Sequence, residues 1–203
     1  MVQTDAAITT RGTAGVGVWI FRVLLVAGAA FMLYSWFQPW WSADIAVIPG
    51  TSDMVLHPWG ADVAGTVRAN IDETAFEMPF PGLFAGFMWV YLGVCMLALA
   101  VSLFWKGRLH LGRINVSWAM VFILLVGLSY AAAVGLAFGI GTLKAGASGA
   151  NFIGKSNVLE PGSGAKLKMV SQLLVGYWLA LGAGGALTIL GLIRFLFVRQ
   201  PKA

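Results

Sequence analysis

Four long apolar runs, separated by polar connections, constrain this 203-residue chain more than any other feature it carries. They cover residues 17–37, 83–104, 116–141 and 169–197. A helix needs about 20 mostly apolar residues to cross a hydrocarbon layer about 30 Å thick, and each run is that long. Composition points the same way: 59% of residues are hydrophobic, 10% are charged, and mean hydropathy is +0.84. A soluble domain carries about 25% charged residues. A water-soluble globule is excluded, and so is a disordered chain, which needs low hydrophobicity and high charge. The expected fold class is an all-α integral membrane protein. Four transmembrane helices form a bundle, and two long loops make a small extracytoplasmic cap containing a short strand and a short helix.

The first run is read as a retained anchor. Its apolar core exceeds the 7–15 residues usual for a signal peptide, and Pro39-Trp40-Trp41 follows it where a cleavage site would need small residues. Four crossings put residues 1–16, the connection 105–115 and the tail 198–203 on one side. These segments and the adjoining helix ends hold Arg11, Arg22, Lys106, Arg108, Arg113, Arg194, Arg199 and Lys202. Basic residues in short flanks stay cytoplasmic, so both termini are expected inside, in the plasma (inner) membrane. Arg22 lies about one turn inside the first run, from where its side chain snorkels toward the headgroups.

Tryptophan marks the expected interfaces, because an indole is apolar along one edge and carries an N–H that seeks a partner. Trp19, Trp105 and Trp118 fall at the inner side. Trp36, Trp40, Trp41 and Trp178 are the expected outer anchors.

The apolar runs hold no Asp or Glu, the groups that carry coupling charge in ion-driven transporters, and no proline interrupts them. Small residues are abundant instead. Spaced four apart they let helix backbones approach closely. The expected packing positions are Gly28, Gly135, Gly139, Ala180, Gly182, Gly184 and Ala186. They serve either contacts among the four helices or a face for another subunit.

Candidate chemistry is sparse. The single cysteine, Cys95, excludes an intrachain disulfide and thiol–disulfide exchange of the paired-cysteine kind. His57 and His110 fall on opposite sides of the bilayer and cannot share one haem or metal. His57-Pro58-Trp59, with Asp53 and Asp62 nearby, reads as a turn and not a metal site. The net charge of +5 is explained by membrane orientation, so no nucleic-acid partner is expected. Gly149 to Ser156 matches the letters of a phosphate-binding loop, G-x-x-x-x-G-K-[ST]. That mechanism needs a strand before the glycines and a helix after the lysine. Here an apolar helix precedes the pattern and Pro161-Gly162 soon follows it, so nucleotide binding is not expected. No catalytic residue, cofactor or metal ligand is assigned.

The connection 38–82 is acidic, with Asp44, Asp53, Asp62, Asp72, Glu73 and Glu77 against Arg68. The connection 142–168 is basic, with Lys144, Lys155, Lys166 and Lys168 against Glu160. Opposite signs predict that the two pack on each other. Alternation over 44–48 predicts a strand. Val63, Val67 and Ile71 predict a short helix capped by Asp62.

This layout, four crossings with a long first outer loop and a shorter second one, resembles the claudin-type tetraspan plan. That family carries a Trp-Gly-Leu-Trp motif and a cysteine pair in its first loop. Trp40, Trp41 and Trp59 stand there in this chain without any cysteine, so the family's function is not carried over. The expected function is a non-catalytic structural subunit of a larger membrane complex, with the lipid bilayer and other integral subunits as partners. Two alternatives stand beside it. One is a redox or oxygenase-type subunit sharing a metal, haem, quinone or lipid site with partner chains. The other is a tetraspan-like contact protein.

Overall fold

The computed structural model describes residues 4–45, 54–63, 83–105, 107–111, 114–147, 149–159 and 166–197. Four helices carry the architecture: α1 (Thr4–Phe37), α2 (Leu83–Phe104), α3 (Trp118–Ala147) and α4 (Val175–Phe197). Each contains a stretch long and apolar enough to cross a membrane. The connections add β1 (Trp41–Ile45), β2 (Met54–His57), β3 (Gly60–Val63), β4 (Arg108–Leu111), β5 (Ile114–Ser117), β6 (Gly154–Leu159) and β7 (Lys166–Leu173).

Helix ends follow local chemistry. α1 stops at Phe37 because Pro39 disfavours helical geometry at the residue before it. α3 ends in a Schellman motif. Gly149 adopts φ 70°, its N–H reaches Gly146 O at 3.1 Å, and Ala150 N–H reaches Ala145 O at 2.9 Å.

Five strands form one antiparallel sheet in the order β3-β2-β1-β7-β6. Both long connections build it. β1 from the first pairs with β7 from the second, Trp41 opposite Leu173 through Ile45 opposite Met169. β1 leaves α1 and β7 enters α4, so this pairing continues the α1–α4 helix contact into the sheet. Trp40 seals the junction, donating to Leu56 O and accepting from Leu174 N–H, both at 2.9 Å. A Cβ on Gly176 would collide with the Pro39 carbonyl oxygen, so the first turn of α4 can lie there only without a side chain. At the other end of the helices, β4 and β5 form a separate two-stranded hairpin.

Three expectations are corrected. Residues 169–173 are strand, not the start of the fourth crossing, because Lys166, Lys168, Val170 and Gln172 are exposed while Met169 and Ser171 are buried, a period of two. Residues 116 and 117 likewise belong to β5, and α3 starts at Trp118. Asp62 caps no helix: it lies in β3 opposite Val55. The predicted strand begins at Trp41, earlier than Asp44, and its predicted end beyond Ile45 lies outside the described residues, as does the remainder of the predicted short helix. The sheet is thus larger than the short strand expected of an all-α protein.

The main core runs between the helices through Phe21, Leu25, Met32 and Trp36 of α1, Leu92, Cys95 and Leu99 of α2, Ile123, Val126, Tyr130 and Val134 of α3, and Ala180, Ala183, Leu187 and Leu190 of α4. The sheet has its own core of Trp41, Ala43, Met54, Phe152 and Met169.

Candidate functional site

Two features could serve function: an aromatic junction between sheet and helices, and the glycine-bearing helix faces. The junction is built from the turn between β2 and β3. Pro58 and Trp59 form that two-residue turn, and it sets the Trp59 ring over the ends of α1 and α2. Trp59 stacks on Trp89 of α2 at 5.2 Å between centroids and 27°. It also meets Trp36 and Phe37 of α1 at 6.3 and 6.0 Å. Trp36 and Trp89 stand edge to face at 6.1 Å. These rings bridge α1 and α2 at the sheet end. His57 lies flat on Trp59 at 4.9 Å and 14°. Its Nε2 is 3.6 Å from Asp62 Oδ2, an ion pair only when the imidazole is protonated.

Two polar atoms in this junction have no hydrogen-bond partner, Trp36 Nε1 and His57 Nδ1. Trp40 and Trp41 are satisfied: Trp40 donates to Ser35 O at 3.2 Å, and Trp41 donates to Phe152 O at 2.7 Å. Chemically the junction is a clamp of stacked rings. Among the described residues, no three of His, Cys, Asp and Glu come together.

The expected anchor tryptophans differ in how far protein covers them. Trp36, Trp40 and Trp41 are enclosed by protein: ring partners surround Trp36, and carbonyl acceptors hold the indole N–H groups of Trp40 and Trp41. Trp178 is exposed. Sequence reasoning missed Trp89 and Tyr130 as members of the junction. Trp89 lies in the second turn of α2 and Tyr130 lies midway along α3, where its ring stacks on Trp36 at 6.4 Å.

The small residues divide into two sets. Gly28 faces Leu187 of α4, where a Cβ would come within 2.9 Å of the leucine side chain. Gly184 faces α3, where a Cβ would come within 2.8 Å of Ala131 N. Gly127 and Gly191, which sequence reading did not single out as packing positions, make the same α3–α4 contact from either side. Ala180 is fully buried. A Cβ on Gly182 would meet the Phe31 ring at 3.8 Å, and Ala186 is exposed. Gly135 and Gly139 are different: among the described residues, nothing lies within 4 Å of a Cβ built on either, nor on Gly146 farther along α3. Exposed Leu128, Ala132, Leu136 and Thr142 accompany them.

No family model, curated protein or solved structure matches this chain. The glycines of the phosphate-loop pattern have structural tasks: Gly149 ends α3, and Gly154, at φ 102°, opens β6. Lys155 sits in that strand opposite Val170, and the chain after it runs on as strand to Leu159, where a phosphate loop would open a helix.

Proposed function

We propose that this chain is a non-catalytic structural subunit of a larger membrane complex. In this reading it sits in the plasma (inner) membrane with both termini cytoplasmic, and the five-stranded sheet is an extracytoplasmic cap. The distribution of basic residues supports the orientation. One observation carries the subunit reading: among the described residues, nothing lies within 4 Å of a Cβ built on Gly135 or Gly139 of α3. The helices already use other small residues for their own contacts, through Gly28, Gly127, Gly184 and Gly191. Lipid tails gain nothing from a glycine, whereas a partner helix gains close backbone approach. Outward glycines four apart are thus a docking strip for another transmembrane helix.

The test is gentle solubilisation, native-gel separation and identification of co-migrating chains, for the wild type and for Gly139→Leu. The reading requires a partner with the wild type and its loss with Gly139→Leu, while the variant keeps its own thermal transition. A wild-type chain that migrates alone in every mild detergent overturns it.

A further inference from the structure

The outward face of the β6–β7 ribbon is basic. Pairing sets Lys155 opposite Val170, Asn157 opposite Lys168 and Leu159 opposite Lys166. Residues paired in this way point to one face of a sheet. Lys155, Asn157, Lys166, Lys168 and Val170 are exposed, while Met169 and Ser171 of β7 are buried, so the lysines stand on the outward face. Lys166 and Lys168 are two residues apart, and Lys155 is diagonal to Lys168, which spaces neighbouring lysines by about 7 Å. β6 and β7 contain no acidic residue. The acids of the described sheet, Asp44 and Asp62, lie on β1 and β3, and Asp62 faces His57. None of the three lysines has an ion-pair partner among the described residues.

The ribbon also ends the sheet. β6 is the last strand in the order, and among the described residues no strand pairs with its outer side. Asn151 Nδ2 donates to Lys155 O at 3.0 Å, so the open edge begins past that carbonyl. An edge strand is a template for another strand, and a lysine on it repels unwanted ones. One lysine suffices for that task. Three on one ribbon, within a Debye length of about 8–10 Å of each other, build a field that favours an acidic strand. A second copy of this chain would set one lysine trio beside another, which charge opposes. We propose that the β6–β7 ribbon receives an extended acidic segment of a partner chain, which pairs along β6 and turns its carboxylates toward Lys155 and Lys168. Alternate side chains of an extended segment share a face at about 7 Å, the spacing of the lysines. The proposal rests on the subunit reading above and names the chemistry of a partner. Its test uses the isolated chain and a peptide, so its failure leaves the docking strip on α3 standing.

The probe is a blocked hexapeptide of alternating glutamate and threonine, labelled with a fluorophore and titrated by anisotropy against the full-length chain in neutral detergent. It is expected to bind the wild type and to weaken about fivefold in Lys155→Glu and in Lys168→Glu, the upper end of the worth of one exposed ion pair. Raising salt to about 0.5 M is expected to remove most of the binding. Both substitutions alter exposed side chains, and an unchanged thermal midpoint shows that each variant keeps its fold. Methylating alternate amide nitrogens of the peptide blocks strand pairing and keeps its charge, and is expected to abolish binding. Equal binding of the methylated peptide, unchanged binding in Lys168→Glu, or no binding at all overturns the proposal. Binding that appears only after Asp72→Asn, Glu73→Gln and Glu77→Gln are combined assigns the face to this chain's own acidic connection and overturns the partner. Displacement of the peptide by phosphatidylglycerol, but not by phosphatidylcholine, overturns the acidic segment in favour of a membrane surface.

Discussion

Ser35 of α1 and Tyr130 of α3 share a hydrogen bond of 3.0 Å inside the helix bundle. The direction of that bond follows from counting protons. Ser35 already donates its one hydroxyl proton to Met32 O at 2.7 Å, so Tyr130 is the donor. The preceding residue of α3 repeats the arrangement: Ser129 donates to Val126 O at 3.1 Å and accepts from Tyr91 of α2 at 3.0 Å. Two adjacent residues of α3 thereby reach α1 and α2, because successive side chains of a helix point about 100° apart.

Tyr130→Phe removes the donor and keeps the ring in its place against Trp36. Interhelical hydrogen bonds of this kind average about 0.6 kcal/mol. The expected outcome is a loss of that order in denaturation of the purified chain in detergent. Tyr130→Ala, which also empties the ring's volume, is expected to cost several times more.

Gly184→Leu and Gly139→Ala separate inward from outward glycines. A side chain at Gly184 meets Ala131 N at 2.8 Å and forces α3 away from α4, an overpacking expected to cost about 1–3 kcal/mol. A methyl at Gly139 meets nothing within 4 Å, and the fold is expected to keep its thermal midpoint. Parallel thermal denaturation of both variants measures the contrast.

Trp41→Phe is expected to destabilise the chain more than Trp36→Phe. Both remove the same ring volume. Trp41 loses a 2.7 Å hydrogen bond and leaves Phe152 O unpaired, whereas the Trp36 N–H has no partner to lose. A difference of about 1–2 kcal/mol follows from the cost of an unmade buried hydrogen bond. Trp41 also stacks on Phe152 at 5.3 Å and 4°, tying the two long connections together. Trp41→Ala is accordingly expected to speed limited proteolysis of the sheet while the helices stay protected.

Orientation can be read with the chain's own background of a single, buried cysteine, Cys95. Asn157 is exposed on β6, and Trp105 is exposed at the opposite end of the helices. A membrane-impermeant maleimide is expected to label Asn157→Cys in intact cells and Trp105→Cys only after permeabilisation. The reverse pattern would invert the proposed topology.

Hydropathy and charge are summed along the chain without reference to any partner. That is why the four apolar runs, their tryptophan-rich ends and the gathering of basic residues at 105–115 and 198–203 are legible in the letters alone. The same holds for the end of α1 at Pro39 and for the absence of carboxylates at mid-span. Everything that depends on which surface meets which was decided by tertiary structure. Residues 169–173 are apolar enough to continue a helix, and their pairing with β1, about 125 residues earlier, makes them a strand. Gly135 and Gly184 are the same residue type in equally apolar helices. One faces outward and the other receives α3, because a glycine records only that a backbone is able to approach, and the packing of the four helices selects where it does.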